Sequence, residues 1–296
     1  GASSASGGSA AGLSAFSTVE TRPRLKDMGA MVERWLEQAL KRAGVPEGLL
    51  RSMEYSLLGG GKRIRPVLCL VAARMFGLEP EKAMPFAGAL ECIHTYSLVH
   101  DDLPAMDDDD LRRGKPSNHK QFDEATAILA GDGLLTDAFA LMATAGRDGS
   151  LPPERVLRAL AEVATAAGSP GMVGGQFLDM RYTGRGGVGL QELAAMHAMK
   201  TGALLRASCV SGALLAGAGG RDVEAMRVFG SAIGPAFQIV DDILDETGSQ
   251  EELGKPVGSD AAQAKATHPS LLALEASRKC DDEWISMAVE AIYSHS

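Results

Sequence analysis

Residues 89–110 read ALECIHTYSLVHDDLPAMDDDD. Ala89 to Ile93 is an apolar helical run, and it leads to paired carboxylates, Asp101-Asp102, then to Asp107 and on through Asp110. Pro104 has no backbone N–H, so the helix must end or bulge there, and a tight loop is expected to return Asp107 to the same place. Carboxylates packed this closely repel one another unless divalent cations lie between them. The stretch therefore describes a helix that carries acid groups to the mouth of a core.

A second cluster, Asp241-Asp242-Ile243-Leu244-Asp245, follows about 140 residues later, again behind an apolar helical run, Ile233 to Phe237. At 3.6 residues per turn, Asp241 and Asp245 share one helix face with Asp242 alongside. One such cluster alone reads as solvated surface. Two, each ending an apolar helix, read as a hard-cation site. Mg²⁺ keeps several waters and takes one or two carboxylates plus substrate phosphates, so these faces suit a metal-bridged diphosphate better than a closed metal cage.

The rest of the chain is consistent with an all-α protein. Ala and Leu are abundant, and no period-2 run of β-branched residues marks a strand. Helices are expected near 25–44, 47–58, 65–77, 80–101, 122–146, 153–168, 170–181, 190–216, 221–246 and 269–293. Glycine-rich breaks at 59–61, 184–189 and 217–220 separate them. Connections are short and no linker divides the chain, so residues 19–296 are expected to form a single-domain all-α bundle of about ten helices. Residues 1–18 are small and polar with no charge, which predicts a disordered leader or a cloning remnant. A plastid-type transit segment would be Arg-rich, and no Arg precedes Arg22.

Composition narrows the function classes. At 296 residues, 45% hydrophobic and 23% charged, the chain is that of a soluble globular protein. No apolar run approaches the eighteen or so residues that span a bilayer. A net charge of −9 argues against nucleic acid as a partner. Cys69, Cys92, Cys209 and Cys280 are far apart with no CxxC pair, which predicts reduced thiols in a cytoplasmic compartment and no structural zinc.

Cations flank the acid clusters. Gly59-Gly60-Gly61-Lys62-Arg63-Ile64-Arg65-Pro66 places a glycine run, three cations and then a proline expected at the first position of a helix, an arrangement suited to an anion. The GxxxxGK[ST] spacing of a P-loop is missing. Arg112-Arg113 follows the first acidic cluster directly, an arrangement that suits metal and phosphate held side by side. Lys200 and Lys255 are single cations, and His94, in an apolar helix, reads by default as a core histidine. No GxSxG, HExxH or strand-borne GxGxxG offers a rival catalytic set.

With these residues assembled, the chain resembles the trans-isoprenyl diphosphate synthases, most closely the bacterial type that makes farnesyl diphosphate. The segments LLGGGKRIRP (57–66), ECIHTYSLVHDDLPAMDDDDLRRGKPSNH (91–119), ILAGDGLL (128–135), GMVGGQFLDM (171–180), MKTGALLRA (199–207), FQIVDDILD (237–245) and LGKPVGSDAAQAKATHP (253–269) stand in that family's order and spacing. The resemblance implies an all-α fold around a deep cavity, a homodimer, and a Mg²⁺-dependent prenyltransferase joining isopentenyl diphosphate to an allylic diphosphate. By the same resemblance, Asp101, Asp102, Asp107, Asp241 and Asp245 would hold three Mg²⁺. Arg112, Lys200 and Lys255 would contact the allylic diphosphate. Gly61, Lys62, Arg65, His94 and Arg113 would hold isopentenyl diphosphate, and Thr201 and Gln238 would flank the forming carbocation. The alternatives are a geranylgeranyl diphosphate synthase and a non-catalytic partner subunit on the same fold.

Product length has its own candidate. Tyr96 lies five residues before Asp101, about 7.5 Å down the helix axis, where its ring could floor a tunnel for the growing chain. One further isoprene unit would gain roughly 4 kcal/mol from burial, so such a floor must act by steric exclusion. By resemblance, an aromatic there together with the lengthened first aspartate motif marks enzymes that stop at farnesyl diphosphate.

Overall fold

The structure is a computed structural model that describes residues 18–247, with side chains described for 27–235. The expected leader, Lys255, Cys280 and the expected helix at 269–293 lie outside the described residues. Among the described residues there are eleven α-helices, one π-helical turn and one two-stranded hairpin, so the all-α expectation holds.

Two helices form the centre. α10 (Ala203–Leu215) buries every residue except Arg206, as a helix that is apolar all round must. α4 (Pro80–Asp101) buries thirteen of its residues. Phe86, Leu90 and Ile93 on α4 are wholly enclosed, and such burial stabilises by about 1.5–3 kcal/mol per side chain. Around α10 lie α3 (Ile64–Met75), α7 (Pro153–Ala167) and α11 (Gly220–Thr247), while α6 (Glu124–Arg147) runs along α4 with α1 (Thr18–Ala39) and α2 (Glu47–Leu57) beside it. α8 (Met172–Tyr182) leans on the π-helical turn, Ala198–Gly202, which joins α9 (Leu190–His197) to α10.

The end of α4 follows the expectation drawn from Pro104. The helix stops at Asp101, and the Asp107 N–H donates to the Asp101 carbonyl at 2.8 Å while the Asp109 N–H donates to that of Asp102 at 3.1 Å. The loop thus brings Asp107 back beside the helix end. It continues into β1 (Leu111–Arg112) and β2 (Lys115–Pro116), joined through Arg113 and Gly114, both at positive φ. Two successive left-handed residues match the twist of a two-residue hairpin, and strands this short have no period-2 run to announce them.

Other expectations shift. α3 begins at Ile64, so Pro66 is its third residue, not its first, and Arg63 precedes the helix in the left-handed region at φ 55°. Proline is tolerated there because N–H groups of the first turn have no intrahelical acceptor. The first helix runs 18–39, not 25–44, and the helix expected from 122 starts at Glu124, where the Asp123 carboxylate accepts from the Thr126 N–H at 2.7 Å. It is preceded by the single turn α5 (Asn118–Gln121). The helix expected over 190–216 is interrupted by the π-helical turn. α6 is, by length and composition, apolar enough to cross a membrane, although no uninterrupted apolar run marks it. Ala127, Ala130, Leu134, Ala138 and Met142 on its inner face are buried in the bundle.

Candidate active site

A cleft of about 430 Å³ opens between α4, α8 and the π-helical turn. Arg65, His94, Asp101, Lys200 and Thr201 line its polar side, and Tyr96, Met106, Met172, Phe177, Met180 and Leu204 line its apolar side. Of the residues expected from sequence, this cavity receives Asp101, Arg65, His94, Lys200, Thr201 and Tyr96, whereas Asp102, Arg112 and Arg113 line a neighbouring one.

The acid side rests on α4 and its loop. Burial pushes the Asp101 carboxyl up to about 7; Lys200 and Arg112 pull it down while Asp107 and Asp102 push it further up. Asp107 is raised in the same direction, chiefly by burial. Asp102 is placed differently. Only 1% exposed, it accepts two hydrogen bonds from Arg112, Nε and Nη2 each at 2.8 Å, a bidentate geometry that fixes Arg112 at the rim. Of the expected metal ligands on this loop, Asp101 and Asp107 are thus the two whose carboxylates are not committed to an arginine. Asp241 and Asp245 lie one turn apart on α11, and Gln238 lies one turn before Asp241.

The basic side is assembled from three segments. Arg113 Nη1 donates to the Gly60 carbonyl at 2.8 Å, and a Cβ at Gly61 would stand 2.8 Å from Arg113 Nη2. Glycine at 61, at φ 117°, is what lets the guanidinium lie on the loop. Lys62 is exposed beside it, and Arg65 reaches the cleft. His94 is held well below the usual histidine range, first by burial and then by Arg65, Arg113, Arg112 and Arg63 around it. It is a neutral imidazole in a strongly positive field and lines the cleft, so it is more than a core histidine.

Lys200 sits in the π-helical turn, where its Nζ donates to Asp179 Oδ2 of α8 at 2.5 Å. α8 can come this close because Gly175 has no side chain: a Cβ there would stand 2.3 Å from the Lys200 backbone nitrogen. π-Turns inside helices occur frequently at functional sites. Gln176, one turn before Asp179, is 8% exposed and lines the cleft, with both amide atoms lacking a hydrogen-bond partner among the described residues. Neither Gln176 nor Asp179 stands among the residues expected from sequence, although both fall in the segment GMVGGQFLDM. The signal available was a polar pair at i, i+3 in an otherwise apolar and glycine-rich helix.

Arg63 differs from the row of three anion-facing cations that its sequence neighbours suggest. It is 4% exposed, donates from Nη1 to Glu91 at 2.9 Å and from Nη2 to the Leu57 carbonyl at 2.8 Å, and bonds Glu33 through Nε. It ties α1, α2 and α4 together under the glycine loop. Among the described residues, the non-glycine positions with positive φ are Arg63, Asp108 and Arg113. They lie before α3 and in the loop and hairpin after α4, where such backbone costs about 1–3 kcal/mol each and persists when the surroundings over-determine it. The three described cysteines, Cys69, Cys92 and Cys209, are free and buried, and burial pushes the Cys69 thiol up to about 12. They are structural and unreactive.

The donor set fits Mg²⁺. Among the described residues no three carboxylate, imidazole or thiol groups close into a metal cage. Two loop acids brought together by a 2.8 Å backbone hydrogen bond suit an open site of the kind that Mg²⁺ occupies with substrate phosphate, to which other oxygen ligands would be added.

A helical bundle whose cavity joins carboxylates, cations and an apolar wall defines a class of proteins that handle metal-bound diphosphates of apolar molecules. The family model described as polyprenyl synthetase matches residues 46–292. The chain is 48% identical over 268 residues to a farnesyl diphosphate synthase of Bacillus subtilis (strain 168), covering 90% of each. It is 50% identical over 236 residues to a chloroplastic heterodimeric geranylgeranyl pyrophosphate synthase large subunit of Arabidopsis thaliana, covering 79% of this chain and 64% of that one. Among solved structures, a geranyltransferase from Legionella pneumophila superimposes with TM-score 0.74 at 33% identity, covering 94% of this chain and 99% of that one. An FPP/GFPP synthase from Zymomonas mobilis superimposes with TM-score 0.72, also at 33% identity, covering 87% and 93%. The chain belongs to the polyprenyl synthetase family.

Proposed function

We propose that this chain is a prenyltransferase that condenses isopentenyl diphosphate with dimethylallyl or geranyl diphosphate, giving farnesyl diphosphate and pyrophosphate. The observation that carries the reading is the single cleft in which Asp101, Lys200, Arg65 and His94 face an apolar wall containing Tyr96. Two diphosphates and two apolar tails need that combination.

Asp101, Asp107, Asp241 and Asp245 would hold Mg²⁺, with three ions expected on the bound diphosphate and Asp102 acting by fixing Arg112. When bound, Mg²⁺ supplies Lewis acidity to diphosphate oxygens. Arg112, Lys200 and Lys255 stabilise the negative charge that builds on pyrophosphate as the allylic C–O bond breaks. Lys200 is exchanged from Asp179 to the incoming diphosphate. Gly61, Lys62, Arg65, His94 and Arg113 orient isopentenyl diphosphate so that its double bond attacks C1 of the allylic cation, flanked by Thr201 and Gln238. The adduct loses a proton to the departing pyrophosphate. Met172, Phe177 and Leu204 keep water from a cation that it would hydrolyse.

Tyr96, 7% exposed and lining the cleft little more than one turn below the acid cluster, floors the tunnel and stops growth at fifteen carbons. The similarity to geranylgeranyl synthases supports a second reading in which elongation continues one unit further. A non-catalytic subunit would have no need to retain both the acid and the cation sets. The protein works as a homodimer, through the exposed face of α6, and its free thiols suit the cytoplasm.

Incubation with Mg²⁺, isopentenyl diphosphate and either allylic starter, with products resolved by chain length, tests the reading. Farnesyl diphosphate is expected as main product. No elongated product would overturn the proposed reaction, and a twenty-carbon product would move the enzyme to the second reading.

A further inference from the structure

Tyr96 alone does not explain a rigid floor, because a tyrosine ring on a helix can turn about its own side-chain bonds. His100 stands one turn further along α4 on the same face and also lines the cleft. The two rings meet edge to face, with centroids 5.5 Å apart at 90°. His100 is itself fixed from the opposite side: its Nε2 lies 2.9 Å from the Ile128 carbonyl of α6. A carbonyl can only accept, so Nε2 carries the proton and donates.

The seat for this ring is Gly131, which follows Ile128 on α6 by just under one turn. A Cβ at 131 would stand 2.1 Å from His100 Nε2 and 2.3 Å from Cδ2, so no other residue admits the ring where it lies.

We propose that His100 is a positioning residue for product length: clamped between Gly131 and the Ile128 carbonyl, it holds the Tyr96 ring across the tunnel. The inference rests on the reading of Tyr96 as the floor. It assigns His100, which directly precedes the first acid pair, to the depth of the cavity and not to phosphate or metal.

Four proteins test it: wild type, Tyr96→Ala, His100→Ala and the double variant, each assayed with Mg²⁺, isopentenyl diphosphate and geranyl diphosphate, with products resolved by length. Both single variants are expected to shift the main product upward by at least one isoprene unit. The double variant is expected to match Tyr96→Ala, because His100 acts through Tyr96. His100→Gln keeps a donor for the Ile128 carbonyl and removes the ring, so it lengthens the product too and stands in if His100→Ala fails to fold by circular dichroism. If Tyr96→Ala lengthens the product while the His100 variants keep the wild-type length, the clamp is overturned and the floor stands. If Tyr96→Ala leaves length unchanged, the floor itself fails. Additive lengthening in the double variant would show His100 acting independently and would also overturn the clamp.

Discussion

Arg63 and Glu91 face each other at 2.9 Å with side chains 3% and 4% exposed. Removing one partner of such a pair strands the other charge in the interior, so Arg63→Met is expected to lower stability by about 3–5 kcal/mol. Arg63→Met with Glu91→Met removes both charges and should recover most of that loss, read as the denaturant midpoint at constant slope. Arg112 and Lys200 offer a contrast between two cations that the proposed mechanism assigns to the diphosphate. Arg112→Ala leaves Asp102 buried without its two donors and should cost stability, roughly 1–3 kcal/mol, as well as turnover. Lys200 and Asp179 are 26% and 29% exposed, so water can replace the lost partner and Lys200→Ala should reduce kcat with little change in the melting midpoint. Equal effects of the two variants on stability would contradict these assignments. The return of Asp107 to the helix end beside Asp101 was legible because the acid cluster and its proline are written in the chain, whereas Lys200, a single cation, was assigned to the site only by resemblance. The placement of Arg63 was not legible, since whether a cation in a glycine-rich turn points to solvent or beneath the turn depends on Glu33 and Glu91 from two other helices.

At the level of elements, the loop after α4 and the π-helical turn mark the two extremes of legibility. The proline at 104 forces a helix end locally, and the observed Asp107-to-Asp101 hydrogen bond follows from it. The break at Ala198–Gly202 has no proline; it exists where α8 presses on the junction of α9 and α10 through Gly175. Such a contact is tertiary, and local propensity cannot show it. It has a mechanical consequence. Gly175→Ala places a methyl carbon 2.3 Å from the Lys200 nitrogen, with backbone and not a flexible side chain in the way. α8 and the turn must separate, which displaces Lys200 and Thr201 from the cleft. Misplacement by about 1 Å can cost roughly 10²-fold in rate, so Gly175→Ala is expected to lose kcat on that order while far-UV circular dichroism stays helical. Unchanged kcat would mean that the π-helical turn does not position Lys200.

For the whole molecule, the bundle was readable from helix after helix of apolar periodicity, and the acid side of the cavity from the first acid cluster at the end of α4. Which face would meet the proposed second copy was not, because that depends on what the finished bundle leaves uncovered. α6 points to the surface: it is the described helix with membrane-like apolarity, and 33% of its most apolar stretch is buried. Its inner residues, Ala130, Leu134 and Ala138, are enclosed against the bundle, while Ile128 and Leu129 stand 45% and 56% exposed. Two adjacent exposed apolar side chains on a helix that already packs well suit a partner, and a twofold pairing of α6 with its own copy would cover them on both chains at once. Replacing both residues, Ile128→Glu with Leu129→Glu, should leave the fold intact and convert a dimer into a monomer in sedimentation velocity. Because the Ile128 carbonyl also anchors His100 at 2.9 Å, loosening this stretch of α6 should broaden the product distribution at the same time. A variant that still sediments as a dimer would place the interface elsewhere, and a wild-type protein that is monomeric at micromolar concentration would remove the pairing altogether.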